Sequence, residues 1–167
     1  MWQLRAKYCP LCGAGLVLAM VEDRERQRCS GCAFVLYPNP ACASAGVVLD
    51  DRRRVLLVRR RIQPYAGQWA LPAGYQEVDE DPRATALREI YEETGIRAEV
   101  ESLFDMIYVP DDPRRPANVA VFLCRVVGGV LNSGSDATDA AWFGLDALPQ
   151  DLGFRNAELI LDRLPRG

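Results

Sequence analysis

The sequence contains no histidine among its 167 residues, which removes imidazole from every chemical role. Any zinc site must therefore use cysteine or carboxylate side chains. Any general base must likewise be something other than imidazole, which is the side chain that most often serves in that role.

The sequence also lacks a long apolar run and a basic excess. No stretch is long enough for a membrane helix, and Met1–Arg5 shows neither a signal core nor an Arg/Ser-rich transit pattern. We therefore expect a cytoplasmic protein with no membrane partner. The net charge of −3 makes nucleic acid an unexpected partner, and small anionic substrates require local basic groups.

Two C-x-x-C pairs, Cys9/Cys12 and Cys29/Cys32, are separated by sixteen residues. This spacing predicts a structural zinc site with four thiolate ligands. Two disulfides are the alternative, disfavoured in a chain without a secretory signal, and a redox role is disfavoured because one zinc would use all four thiolates. The predicted organisation is a zinc ribbon over residues 1–37, a linker over 38–42 and a larger domain over 43–167.

Zinc ribbons often bind nucleic acid, and three arginines, Arg24, Arg26 and Arg28, alternate along one predicted strand. Acidic residues at 22, 23 and 25 interleave with them in the sequence, which favours a solvated hairpin. We expect the ribbon to be structural, with a role in homodimerisation or in walling the active site as the further options.

Residues 82–94 carry the signals of a helix: Asp81 suits the N-cap, Pro82 the first helical position, and Gly95 the left-handed residue after the end. Glu89, Glu92 and Glu93 lie three and four residues apart and so share a face of this helix. Negative charge in the last turn is unfavourable, unless a hard cation such as Mg²⁺ or Mn²⁺ neutralises it. A solvated acidic face is the simpler alternative.

The stretch 74–96 resembles the Nudix box, G-x5-E-x7-R-E-U-x-E-E-x-G-U, where U is a bulky aliphatic residue. Every defined position matches, the matching residues being Gly74, Glu80, Arg88, Glu89, Ile90, Glu92, Glu93, Gly95 and Ile96. With seven positions fixed at about one in fifteen each, a chance match is on the order of one in 10⁸ per start position. The chain is therefore identified as resembling Nudix hydrolases with an N-terminal zinc ribbon.

The resemblance implies an α/β fold, the Nudix α/β/α sandwich with a mixed sheet, and hydrolysis of a phosphoric anhydride with Mg²⁺ or Mn²⁺ as cofactor. It makes Glu92 and Glu93 the principal metal ligands, Glu89 a ligand or base, and the Gly74 carbonyl a further ligand. Glu80 is expected to ligate or to orient a water, and Arg88 to anchor the carboxylates.

The expected substrate is a nucleoside diphosphate linked to another group. Residues 60–77 are similar to plant chloroplast FAD and ADP-ribose pyrophosphatases, which favours those two compounds. NADH is disfavoured because the S-Q-P-W-P-F-P-x-S signature of NADH pyrophosphatases is missing. Clean-up of oxidised nucleoside triphosphates and NADH pyrophosphatase activity are the enzymatic alternatives, and a zinc-ribbon nucleic-acid-binding regulator with an inactive Nudix fold is the non-enzymatic one.

Five residues are predicted to contact substrate: Arg59, Arg60, Tyr75, Asp136 and Phe154. The arginines suit phosphate, with a solvated strand end as the alternative. The aromatic residues suit base stacking, with core packing as the alternative. Asp136, or Asp139, stands where the family usually has an acidic residue outside the box, and Asp136 is a further candidate for the base. Two more elements are predicted, a short helix over 145–152 and a terminal helix over 156–164 capped by Asn156.

Overall fold

The computed structural model describes residues 5–110, 112, 115–134 and 136–164, apart from the side chains of 155–157 and 159. The chain folds as two compact units, one ending at Pro40 and the other beginning at Ala41. The first strand of the larger unit also begins at Ala41, two residues inside the range predicted as linker. The boundary falls where Pro38 and Pro40 interrupt regular structure.

The smaller unit contains a three-stranded antiparallel sheet in the order β1-β2-β3. Its strands are β1 (Leu16–Val21), β2 (Arg24–Cys29) and β3 (Val35–Leu36). A two-residue turn joins β1 to β2, since Val21 pairs with Arg24. Gly13 has φ +74° in the first cysteine knuckle, a conformation that glycine adopts readily.

The larger unit is built on a mixed sheet in the order β10-β5-β4-β9-β8, with β6 beside β5 and β7 beside β4. Its elements are β4 (Ala41–Leu49), β5 (Val55–Arg60), β6 (Trp69–Ala70), β7 (Ala73–Tyr75), α1 (Pro82–Thr94), β8 (Ile96–Val109), β9 (Ala117–Gly129), β10 (Ala137–Phe143) and α2 (Arg155–Asp162). The pairing of β4 with β9 is parallel and the other pairings are antiparallel.

Alternate residues of the central strands enter two separate cores. Val47 of β4 packs in the same core as Ile160 and Leu161 of α2. Its neighbour Val48 packs in the other core, with Ile90 of α1. Because successive side chains of a strand point to opposite faces, the helices lie on opposite faces of the sheet. This confirms the predicted α/β sandwich with a mixed sheet.

Helix α1 has the predicted bounds and caps. The Asp81 carboxylate accepts hydrogen bonds from the backbone N–H groups of Arg83 and Ala84, at 2.7 and 3.0 Å. Gly95 ends the helix with φ +69°. The helix lies close to the sheet, because a Cβ on Gly46 of β4 would meet Cδ1 of Ile90 at 2.5 Å. The acidic residues of the last turn are therefore held at a fixed height above the sheet.

The short helix predicted for residues 145–152 is wrong: turns and extended backbone occupy that segment. Its backbone pairs with β6, since the Trp69 N–H donates to the Asp151 carbonyl and Leu152 forms a parallel bridge to Trp69. The predicted cap of the last helix is also wrong, because α2 starts at Arg155 and Phe154 occupies the N-cap position. In the part of the chain that the structure describes, neither helix has the length and apolarity needed to cross a bilayer.

Candidate active site and zinc centre

The Arg88 side chain, on α1, forms hydrogen bonds with several residues of the candidate active site. Its Nε and Nη2 donate to the two carboxylate oxygens of Glu80, at 2.5 and 3.0 Å. Its Nη1 donates to Glu89 at 2.7 Å and to Glu92 at 3.0 Å. Nη2 also reaches the carbonyl of Tyr75 at 3.1 Å. One guanidinium therefore joins three carboxylates of the box to the preceding strand, which is the anchoring role expected for Arg88.

Glu80 is engaged by several donors besides Arg88. The Thr85 hydroxyl donates to Oε2 at 3.0 Å, and the Glu77 N–H donates to the same oxygen at 3.2 Å. The hydrogen bond from Arg88 is the main reason that the pKa of Glu80 falls to about 2. Glu80 is therefore ionised, and its hydrogen bonds fix both the start of α1 and the orientation of the Arg88 side chain.

Glu89 lies directly against the backbone of Gly74 in β7. A Cβ built on Gly74 would come within 2.0 Å of Oε1 of Glu89. Burial raises the pKa of Glu89, opposed by the adjacent Arg88 guanidinium. Position 74 therefore leaves room for the carboxylate only because glycine has no side chain.

We expect Gly74→Ala to lower turnover by about ten- to a hundredfold while the fold persists, since the new methyl group displaces the flexible Glu89 carboxylate. Steady-state kinetics together with circular dichroism provide the measurement. Gly15→Ala is the matched control, because a Cβ at Gly15 meets nothing within 4 Å. Wild-type kinetics for Gly74→Ala would contradict a functional position for Glu89.

Glu93 is the most buried carboxylate of the box, with 5% of its surface exposed. Its Oε2 accepts a hydrogen bond from the Ala73 N–H at 3.1 Å. Burial, followed by the charges of Glu89 and Asp136, raises the pKa of Glu93 to about 8, although the charge of Arg60 acts in the opposite direction. A buried carboxylate held beside other carboxylates is a strong candidate for a cation ligand.

This raised pKa predicts a pH dependence of stability in the protein without Mg²⁺ or Mn²⁺. Between its ordinary value of 4.5 and about 8, Glu93 holds a proton in the folded state and has lost it in the unfolded state. Stability therefore falls as the pH rises through this window. We expect the Tm of the zinc-loaded wild type to fall more steeply from pH 5 to pH 8 than that of Glu93→Gln, with both proteins measured by calorimetry in buffer without Mg²⁺ or Mn²⁺. Parallel curves would refute the raised pKa.

Arg60 extends the site beyond the box and contacts two aromatic residues. Its Nε donates to the Pro64 carbonyl at 2.8 Å, and its guanidinium lies 4.9 Å from the ring centroid of Phe154. The Tyr65 ring lies 4.7 Å from that of Phe154. Both aromatic residues have positive φ, 63° and 54°, which bulky residues rarely adopt. Strain of this kind clusters at functional sites.

Tyr65 is the residue of this group that the sequence reasoning missed. The sequence Gln63–Trp69 indicates a loop and nothing more specific, because the relevant contact comes from Phe154, almost ninety residues later. The one local signal that could have indicated Tyr65 is the presence of an aromatic residue between Pro64 and Gly67. Arg60 and Phe154, predicted as substrate contacts, do lie together.

The remaining three predicted substrate contacts interact with groups other than the Phe154 ring. Arg59 precedes Arg60 on β5 and so projects to the opposite face, where it bonds to the Gly67 carbonyl at 2.7 Å and pairs with Asp151 at 3.8 Å. The Tyr75 hydroxyl donates to Asp112 at 3.4 Å. Asp136 is exposed and acts electrostatically on Glu93. Arg60 and Asp136 therefore belong to the acidic site, whereas Arg59 faces away from it.

The acidic residues supply oxygen donors of the kind that Mg²⁺ or Mn²⁺ takes. They spread around Arg88 in this structure: among the described residues, only the cysteines bring three or more ligand atoms within 4.8 Å of one another. The tight space at Gly74 and the buried Glu93 nevertheless direct two carboxylates to one place beside β7. This donor set fits a hard divalent cation.

The four ribbon cysteines form a compact tetrad, with Sγ–Sγ distances of 3.4 Å for Cys12–Cys29, 3.6 Å for Cys12–Cys32 and 3.7 Å for Cys9–Cys32. A zinc ion bound tetrahedrally by sulfur at about 2.3 Å has edges of about 3.8 Å, which these distances approach. All four are free thiols, and the distances exceed the roughly 2.05 Å of a disulfide. Backbone N–H groups of Leu11 and Gly31 donate to Cys9 and Cys29, at 3.4 and 3.3 Å. The residues therefore fit a zinc ion.

Comparison with known families gives matches over both units. The NUDIX domain family matches residues 40–163. The Nudix N-terminal family, a zinc ribbon, matches residues 7–38. Together these matches span both the acidic site and the cysteine tetrad.

Individual relatives agree with these families. An ADP-ribose pyrophosphatase of Methanocaldococcus jannaschii is 40% identical over 130 residues, covering 77% of this chain and 76% of that protein. A MutT-like protein of Streptomyces ambofaciens is 36% identical over 127 residues, covering 76% of each. The crystal structure of a NUDIX hydrolase from Nitrosomonas europaea superposes with a TM-score of 0.85 at 28% identity, covering 95% of this chain and 89% of that one.

Proposed function

We propose, on the premise that this chain belongs to the Nudix family of hydrolases, that its substrate is ADP-ribose and that it cleaves the diphosphate to AMP and a phosphorylated sugar. The reaction class, hydrolysis of a phosphoric anhydride by a nucleotide pyrophosphatase, follows from the family. The observation that carries the proposal within the structure is the cluster of box carboxylates joined by Arg88, with Glu93 buried at its base.

Gly74, Glu89, Glu92 and Glu93 are the residues proposed to hold the divalent cations. When bound, Mg²⁺ or Mn²⁺ would neutralise the negative charge of the diphosphate and would polarise the water that attacks it. Glu80 and Arg88 keep the carboxylates in position. Glu93 must give up its proton to serve as a ligand, and Glu89, with its raised pKa, is suited either to ligate or to accept a proton from water.

Arg60 is proposed to bind the diphosphate at the edge of the site. Its guanidinium is steadied by the Pro64 carbonyl and the Phe154 ring, and its charge reaches Glu93. Because a guanidinium matches phosphate geometry, Arg60 would orient the substrate over the carboxylates. Asp136 remains a candidate base, and Tyr75 and Phe154 remain candidates for contact with the nucleoside.

ADP-ribose is preferred because the 40% identical archaeal relative carries that activity in its name. FAD is the second candidate, and it rests only on the resemblance of residues 60–77 that was inferred from the sequence. Oxidised nucleoside triphosphates are a third candidate. The ribbon is proposed to hold structural zinc, and homodimerisation and a cytoplasmic location remain expectations.

Product analysis over ADP-ribose, FAD, NADH, oxidised dGTP and diadenosine polyphosphates, with Mg²⁺ and with Mn²⁺, tests this proposal. We expect the highest kcat/KM for ADP-ribose, with AMP as the nucleotide product. A higher kcat/KM for FAD or for oxidised dGTP would replace ADP-ribose as the assigned substrate. No hydrolysis of any of the five compounds would contradict the enzymatic assignment itself.

Arg60→Gln tests the proposed substrate contact separately from the metal site. We expect its KM for ADP-ribose to rise about tenfold or more, with a smaller change in kcat, because the variant loses a phosphate contact and keeps the carboxylates. Arg59→Gln is the matched control, since Arg59 lies on the opposite face of β5. Equal effects of the two substitutions would refute the role of Arg60.

A further inference from the structure

The strand register of the ribbon sorts its charges by face. Arg24, Arg26 and Arg28 of β2 are alternate residues, so they project from one face of the sheet, whereas Glu25 and Gln27 project from the other. Glu25 is therefore on the face opposite the three arginines, whereas Glu22, in the turn before β2, pairs with Arg26. The strand pairing thus leaves an excess of positive charge on the arginine face of the hairpin.

The same face carries apolar and aromatic side chains from the neighbouring strands. On β1, Val17 pairs with Arg28 and Ala19 pairs with Arg26. Beyond β3, the Tyr37 ring lies 4.7 Å from the Arg26 guanidinium. We call Arg24, Arg26, Arg28, Val17 and Tyr37 the basic face. Val17 and Tyr37 are 52% and 47% exposed, so both side chains are accessible beside the arginines.

The arginines of the basic face differ in their exposure and in their contacts. Arg26 is half-buried and donates to the Val21 carbonyl at 3.2 Å, and its ion pair with Glu22 measures 3.6 Å. It therefore supports the Tyr37 ring from one side. Arg24 and Arg28 are exposed at either side of Arg26. The Glu22 carboxylate pairs with Arg26, not with Arg24 or Arg28, among the ion pairs of the described residues.

The charge of the chain is unevenly divided between its two units. Residues 1–40 contain five Lys and Arg against three Asp and Glu, whereas residues 41–167 contain fifteen against twenty. A polyanion is therefore attracted to the ribbon and repelled by the rest of the chain. The basic face is where that attraction and an exposed aromatic ring coincide.

We propose that the basic face binds single-stranded nucleic acid. Arg24 and Arg28 would contact successive phosphates, and an unpaired base would stack on Tyr37 beside Val17. Single strands are favoured over a duplex because stacking on a protein aromatic ring needs an exposed base face. An acidic peptide would satisfy the arginines but would leave the tyrosine ring without a flat partner.

Fluorescence anisotropy with a labelled 12-nucleotide RNA, measured on the full-length zinc-loaded protein between 50 and 200 mM salt, tests the proposal. For Arg24→Gln/Arg28→Gln we expect binding to weaken at least about fivefold. The slope of log K against log salt should become shallower by about 1.4, since each phosphate contact on a single strand contributes about 0.7. Arg52→Gln/Arg125→Gln removes the same charge from exposed positions of the larger unit and should leave the slope unchanged.

Substitutions of Tyr37 test the stacking contribution. We expect Tyr37→Phe to bind like the wild type and Tyr37→Leu to bind at least about fivefold more weakly, because base stacking needs the ring. Single-stranded DNA should compete with the labelled RNA, because both offer phosphates and unpaired bases. Duplex DNA and a poly-glutamate peptide should compete poorly. Zinc content and ADP-ribose turnover serve as checks that every variant is folded.

Three results would overturn the proposal: no RNA binding at 50 mM salt, equal loss of binding in the two double variants, or duplex or peptide binding as tight as that of the single strand. These outcomes are independent of catalysis, because the basic face contains none of the residues assigned to the hydrolytic site.

Discussion

The Glu93→Gln variant is expected to hydrolyse its substrate at least about a hundredfold more slowly than the wild type, with the fold intact. The amide retains an oxygen that can accept the Ala73 N–H, so the local structure has no reason to change. What the variant loses is the ability to ionise beside Glu89 and so to ligate a divalent cation. The measurement is kcat at saturating Mg²⁺, together with the Mg²⁺ concentration that gives half-maximal rate.

Glu101→Gln is the matched control for this experiment. Glu101 is an exposed carboxylate of β8, and the substitution removes one negative charge without touching the box. We expect its kcat to stay near that of the wild type. Near-normal turnover in Glu93→Gln itself would refute the ligand assignment, and the buried carboxylate would then be a structural residue alone.

Removal of zinc is the second large effect that we expect. Freshly purified protein should contain one zinc per chain, and a strong chelator should abolish the order of β1, β2 and β3. The ribbon is too small to fold on its own core, and zinc binding supplies an apparent ~10–16 kcal/mol in comparable sites. Hydrogen exchange of the amides in residues 16–36 provides the measurement.

The Cys12→Ser variant should show the same loss of amide protection without a chelator. Cys42→Ser is the control, because Cys42 is exposed and stands outside the tetrad. We expect the amides of β4, β9 and α1 to keep their protection in both variants, because these elements pack in cores of the larger unit. Protein without zinc and with an ordered ribbon would contradict the assignment of the tetrad.

Helix α1 and its carboxylates were predictable because their signals are local. Asp81, Pro82 and Gly95 fix both ends through contacts within a few residues, and the spacing of Glu89, Glu92 and Glu93 fixes their face. The knuckle spacing likewise brings the four thiols together. The sequence therefore predicted the bounds of α1 and the grouping of the four cysteines, while the roles of the box residues stay predictions.

Features that depend on distant contacts were not predictable. Residues 145–152 read as a short helix, but their backbone groups bond to Trp69, more than seventy residues earlier. The contacts of Phe154 with Arg60 and with the tilted ring of Tyr65 likewise require the sheet to be assembled first. The spread of the carboxylates around Arg88 also depends on the position of β7, which no periodicity in the chain reveals.

The parallel pairing of β4 with β9 has a consequence for biosynthesis. Ala41 lies beside Ala117 and Leu49 beside Arg125, so β4 cannot acquire this neighbour until the ribosome has made some eighty further residues. Contacts that close over such long intervals form slowly. The part of the sheet on which α1 packs is thus completed late in translation. A nascent chain that stalls before residue 125 should therefore lack hydrolytic activity, even if its ribbon has already bound zinc.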